Sequence, residues 1–194
     1  KQTSFNLGTE LPYLFKSPIG AKANLRIFKQ DSTFQNTISD LNLGYYFSYN
    51  TKAYLGYQKT NSADIQNTNS FSINNFTNTF LTSSFEHTTF SNANFIFPEQ
   101  TKINLKLGTG NRTIASEKTN QFFGLLEMSH HLELNSKNNK KKKNQSYYLQ
   151  SDSYVINELF RFGGINSIRG FNENSLQANA FTGIMAEFLY LAAS

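Results

Sequence analysis

The stretch Leu41–Gln58, "LNLGYYFSYNTKAYLGYQ", decides the fold. Leu41, Leu43, Tyr45, Phe47 and Tyr49 alternate with Asn42, Gly44, Tyr46 and Ser48. After "YNTK", Ala53, Leu55 and Tyr57 alternate with Lys52, Tyr54, Gly56 and Gln58. A period of two puts successive side chains on opposite faces of an extended chain. "YNTK" itself carries turn chemistry. The stretch therefore reads as a β-hairpin with one apolar and one polar face.

The same alternation recurs along the chain. Ala21, Ala23, Leu25 and Ile27 are interleaved with Lys22, Asn24 and Arg26, and Ile103, Leu105 and Leu107 with Lys102, Asn104 and Lys106. Leu126, Met128, Leu132 and Leu134 alternate with Glu127, Ser129, His131 and Glu133. Ala180, Thr182, Ile184, Ala186, Phe188 and Tyr190 share one face. These patterns predict nine strands, at approximately 3–11, 21–31, 35–49, 52–61, 74–86, 101–110, 120–134, 146–159 and 178–191. "SPIG", "DST", "NSADIQNTNS" and "NSKNNKKKKNQS" supply further turns. No segment joins a helix cap to an apolar stripe of 3.6-residue period, so the expected class is all-β.

Composition agrees. Of 194 residues, 38% are hydrophobic and only 16% charged, yet 15% are aromatic, with 19 Phe and 10 Tyr. Disordered chains carry more charge and fewer aromatics. The absence of Cys excludes a disulfide framework and thiolate metal sites. The net charge of +5 rests largely on one run, Lys140–Lys143, which does not make a nucleic-acid footprint. No apolar stretch reaches the roughly 20 residues of a membrane helix. The opening "KQTSFNLG" lacks the apolar region of a signal peptide. Either a signal lies upstream in a longer gene or the protein is not exported.

Two architectures share this pattern. A soluble β-sandwich turns its apolar faces inward, whereas a transmembrane barrel turns them to lipid and keeps polar faces in a wet lumen. Strands this long approach the roughly 9–11 residues that cross a bilayer at a tilt. Lys22, Arg26, Lys102, Lys106, Glu127 and Glu187 are the lumen-facing candidates of the second architecture. "GYYFSYN" and "QSYYLQ" would supply interfacial aromatic girdles. Bacterial single-chain barrels close with an even number of strands. Nine therefore suggests part of a larger antiparallel transmembrane β-barrel, with residues 1–194 as one partial domain.

The stretch Phe160–Leu176, "FRFGGINSIRGFNENSL", stands apart from the alternation. The glycine pair Gly163–Gly164 followed by Ile168, Arg169, Gly170 and Phe171 resembles the (V/I)RGF loop of BamA-type outer-membrane assembly barrels. Their superfamily also includes two-partner-secretion transporters. The upstream segments "LPYLFKSPIGAKANLRIF" and "FEHTTFSNANFIFPEQTKINLKLGTG" look like strand–turn–strand units of such a barrel. The resemblance implies sixteen strands, of which the nine here would be the fourth to twelfth, with POTRA domains and the terminal strands lying outside this sequence. It implies a loop tucked into the lumen, with Arg169 paired to an acidic motif on the strand after the twelfth. It also implies a non-enzymatic role without cofactor, metal or catalytic residues. The family folds and inserts outer-membrane proteins, and its implied partners are the bacterial outer-membrane bilayer, unfolded outer-membrane protein substrates and accessory lipoproteins. The alternatives are a polypeptide-secreting transporter, a passive porin-like channel and a soluble β-sandwich binding module.

Other features have plainer readings. The glycine cluster lacks the spacing of a phosphate-binding loop. Lys140–Lys143 reads as a solvated turn, with binding of anionic lipid or nucleic acid as the sharper alternative. His130 and His131, as strand neighbours, point to opposite faces and cannot jointly chelate one ion.

Overall fold

The alternating segments form one antiparallel meander. The computed structural model describes residues 2–30, 33–65, 73–91, 98–135, 138–165 and 167–190. The strands are β1 (Gln2–Leu11), β2 (Ile19–Gln30), β3 (Phe34–Ser48), β4 (Thr51–Asp64), β5 (Phe76–Phe90), β6 (Glu99–Ile114), β7 (Glu117–Glu133) and β8 (Asn138–Ser151). A long connection follows, containing the short antiparallel pair β9 (Phe160–Phe162) and β10 (Leu176–Ala178). β11 (Ala180–Tyr190) then returns to pair with β8. Nine strands thus make a single sheet in the order β1-β2-β3-β4-β5-β6-β7-β8-β11. Among the described residues the sheet is open, with β1 and β11 as its edges.

The sheet is strongly curled. Lys106 Nζ on β6 donates to Asp40 Oδ1 on β3 at 2.7 Å, and Lys22 Nζ on β2 donates to Glu86 Oε1 on β5 at 2.7 Å. Strands lie about 4.8 Å apart, so three intervals of a flat sheet separate such residues by about 14 Å. Contact requires the faces that carry these residues to be concave. Register then assigns every side chain to a face. Lys22, Asn42, Gly56, Thr82, Gly108, Phe123 and Leu149 form one concave row. One residue along, Ala21, Leu43, Leu55, Ser83, Leu107, Gly124, Tyr148 and Ala180 form a convex row. Leu43, Leu55, Leu81, Ile184 and Phe188 are exposed on the convex side.

The concave face divides into two zones. One end of the sheet carries the connections at 31–33, 65–75, 115–116 and 152–179, here called the loop end. Toward it, Phe34, Phe76, Phe80, Phe123 and Leu149 are buried on the concave side. The Phe80 and Phe123 rings meet edge to face, centroids 4.9 Å apart. This corrects the expectation of a uniformly polar interior. Toward the opposite, turn end the concave face is polar. There Glu10 Oε1 accepts from Tyr46 Oη at 2.6 Å, Lys52 Nζ at 2.7 Å and Tyr54 Oη at 3.2 Å.

Eight of the nine expected strands lie within a few residues of their predicted places. The exception is the eighth, expected at 146–159 and found at Asn138–Ser151. "NSKNNKKKKNQS" is therefore not a turn: Lys140–Lys143 pair with Leu132–Ser129 of β7 on one side and Phe188–Met185 of β11 on the other. Lysine and asparagine have low strand propensity, but ladders on both sides outweigh it. In "NSADIQNTNS", Asn61–Asp64 belong to β4, while residues 66–72 lie outside the described residues, as do Asp31, Ser32 and most of the connection before "FPEQ".

The β6–β7 connection is a two-residue turn with φ 44° at Ala115 and 80° at Ser116. Twist-matched hairpins need positive φ at both positions and favour Asn-Gly there. Left-handed backbone costs an ordinary L-residue about 1–2 kcal/mol. The double variant Ala115→Asn/Ser116→Gly is expected to stabilise the folded protein by about 1 kcal/mol, read as a raised urea midpoint. A lowered midpoint would contradict this reading of the turn.

Candidate functional site

The described residues of the 28-residue connection between β8 and β11, 152–179, lie against the concave face and touch strands from β2 to β11. Their first part is a strap. Loss of alternation at "SDSYVINELFRF" ends β8, and Ile156–Glu158 forms one 3₁₀ turn. This turn aims two neighbouring polar side chains at the sheet. Asn157 Nδ2 donates to Ser62 Oγ on β4 at 2.6 Å and to the Asn74 carbonyl at 2.8 Å. The Asn157 carbonyl accepts from Asn36 Nδ2 on β3 at 2.6 Å.

Glu158 makes the second attachment. Its carboxylate pairs with the Arg112 guanidinium on β6, and the two side chains are 1% and 3% exposed. Gln121 Nε2 on β7 donates to Glu158 Oε2 at 2.9 Å, and the Val155 amide donates to Oε1 at 3.0 Å. Arg112 also donates to the Ser153 carbonyl at 3.1 Å and to Ser153 Oγ at 2.6 Å. The charge on each partner is thus met by several hydrogen bonds, the condition under which a buried ion pair is tolerated.

The next three residues cross the concavity. Phe160 stacks on Tyr147 of β8 with centroids 4.5 Å apart, and Phe162 on Phe181 of β11 at 4.0 Å. Between them Arg161 lies over Phe34 of β3, 4.9 Å from its ring centre, and over Phe28 of β2 at 5.5 Å. Seven strand intervals separate β2 from β11, about 34 Å if the sheet were flat. Three consecutive residues touching both flanks make the strap a tie across the curled sheet.

The glycine-rich part comes next. Gly163, Gly164 and Gly170 have φ of 110°, 93° and 91°, a region that L side chains rarely enter. The Gly164 amide donates to the Ile168 carbonyl at 3.0 Å, and the Ile165 amide to Glu173 Oε1 at 3.1 Å. A Cβ at Gly164 would collide with the Glu173 carboxylate, whereas Gly170 has open space and only its φ selects glycine. Ile168 is half-buried and Phe171 exposed.

Arg169 reaches Glu187, which lies on the concave side of β11. Glu187 is seven residues from the start of β11, about 23 Å along the strand at roughly 3.3 Å per residue. The loop therefore extends well down the concave face. The Arg169 side chain is 61% exposed, and a single nitrogen makes the contact. A planar guanidinium suits a buried, two-pronged partner, and this contact is neither buried nor two-pronged. Of the two lumen-facing acid candidates, Glu187 makes the contact and Glu127 accepts from Gln145 Nε2 at 3.0 Å. An ion pair this exposed contributes about 0–1 kcal/mol.

The other lumen candidates are placed by register. Lys22, Arg26, Lys102 and Lys106 all fall on the concave face, Lys22 and Lys106 in ion pairs and Arg26 and Lys102 exposed. Sequence reasoning missed Asn157 and Glu158, because 146–159 was assigned to a strand, and with them it missed their neighbour Arg161 and the Glu158 partner Arg112. The available signal was the break of period two after "SYYLQS". His130 faces outward, its Nδ1 2.9 Å from Thr101 Oγ1, and His131 faces inward. Compared with known proteins, the chain matches no family model and no curated protein.

Proposed function

We propose that this chain builds part of the wall of a transmembrane β-barrel in a bacterial outer membrane. In this reading the barrel belongs to the assembly type that helps fold and insert other outer-membrane proteins. The observation that carries the reading is the 152–179 connection, held on the concave side with Arg169 at Glu187. The convex face supports it: exposed Leu, Ile, Phe and Tyr side chains cover several neighbouring strands, far beyond the scattered apolar residues of an ordinary soluble surface. Strands of 10 to 17 residues are long enough to cross a bilayer at a tilt. Unpaired edges are costly in lipid, so β1 and β11 require further strands to complete the wall.

The test is complementation of a strain depleted of the protein by the complete gene product, scored for the levels of other outer-membrane proteins. Arg169→Ala and Gly170→Val are expected to impair complementation. Arg169→Lys keeps the charge and a donor for the single-nitrogen contact with Glu187, and is expected to retain most of the complementation. Full complementation by Arg169→Ala, with normal outer-membrane protein levels, overturns the assembly role.

A further inference from the structure

We infer that Lys140 and Lys142, with His130 beside them, form an outward-facing site for the phosphate of an anionic phospholipid, at the turn end of the sheet. The inference rests on the transmembrane reading above and names a ligand for the convex face.

Placement comes first. Lys140–Lys143 lie within β8, paired on both sides, so their side chains alternate strictly between faces. Lys141 lies opposite Glu187 on the concave face; Lys140 and Lys142 are on the convex face, two and four residues from the start of β8. His130 is directly across from Lys142 on β7 and exposed. A solvated turn no longer accounts for these lysines.

Charge comes second. The acids of the three strands around this point, Glu127, Glu133 and Glu187, all fall on the concave face by register. Neither Lys140 nor Lys142 makes an ion pair among the described residues. Two cations therefore stand on the convex face, with His130 across from Lys142 and Asn138, Asn144 and Ser146 at the flanking convex positions of β8, without a counter-charge from their own or adjacent strands. In hydrocarbon this is costly, and the long lysine stem resolves it by carrying the ammonium to the interface.

The surroundings come third. Phe188 pairs with Lys140 across the β8–β11 ladder, and Tyr190 pairs with Asn138. Both rings are exposed on the convex face, and Leu132 lies opposite Lys140 on β7. Aromatic side chains collect at headgroup depth. Ammonium groups beside such a belt sit where lipid phosphates lie, while Leu132 and Phe188 offer an apolar surface to the acyl chain.

The experiment titrates the detergent-solubilised gene product with fluorescent short-chain phosphatidylglycerol and phosphatidylcholine. In parallel, its incorporation into phosphatidylcholine vesicles is measured by flotation. Wild type is expected to prefer phosphatidylglycerol by about ten- to thirtyfold, the preference falling with salt. Lys140→Gln/Lys142→Gln should abolish the preference. Lys140→Arg/Lys142→Arg and the inward Lys141→Gln/Lys143→Gln should retain it. Equal binding of the two lipids by wild type, or an undiminished preference in Lys140→Gln/Lys142→Gln, overturns the site while the transmembrane reading stands. Failure of wild type to enter vesicles overturns both.

Discussion

Replacing Arg112 by Met is expected to destabilise the folded protein by about 3–5 kcal/mol at neutral pH and to detach the strap from the sheet. The size follows from what is left behind. The Glu158 side chain is 1% exposed, and without the guanidinium its carboxylate keeps only the Gln121 and Val155 donors in a buried site. An unpaired buried charge costs far more than the intact pair contributes. The double variant Arg112→Met/Glu158→Met should recover most of the loss, because apolar side chains of similar volume replace such pairs at little cost. The chain has no cysteine, so Val155→Cys supplies a single probe at a buried strap position. Its thiol should react slowly in the parent and rapidly once Arg112→Met is added. An unchanged urea midpoint and an unchanged labelling rate in Arg112→Met would show that the strap is held by something other than this pair.

Placing arginine at Leu43 is expected to cost about 2–4 kcal/mol when the protein is folded in a bilayer. Leu43 lies on the convex face, between Ala21 and Leu55, and is 65% exposed. The same substitution separates the two architectures that alternation allowed. On a surface facing water, Leu43→Arg would change stability by no more than about 0.5 kcal/mol. In lipid it places a charge where no water or counter-charge meets it. Asn24→Arg is the control, because Asn24 is concave and directly opposite Asp40. Unfolding in lipid vesicles should show a large loss for Leu43→Arg and a small change for Asn24→Arg. Equal, small effects would remove the membrane from the account of this protein.

These two substitutions probe different levels of organisation. The convex position of Leu43 is legible in "LNLGYYFSYN", since period two is a local property and a one-residue slip would reverse both faces of the strand. The glycine-rich loop was legible for the same kind of reason. Glycine is the residue that takes positive φ without steric cost, and Gly163, Gly164 and Gly170 mark such positions in the loop. The partner of Arg169 was only partly legible, because an acid on the correct face is necessary for pairing but does not select among several. The separation of 18 residues from Arg169 to Glu187 can be closed in many ways.

What the sequence by itself determined is thus eight of the nine strands, the face each of their side chains occupies and the glycine positions of the loop. All follow from interactions among residues a few positions apart. Only the tertiary structure decided that Lys140–Lys143 are strand, because that required β7 and β11 to offer backbone partners from both sides. It alone decided that Glu158 meets Arg112, 46 residues away, and that Asn157 meets Asn36, 121 residues away. Such contacts form only when the sheet curls and the strap folds back over it. Their strength depends on paired polar groups being shielded from water together, a property of the assembled concave face that no short stretch of the chain carries.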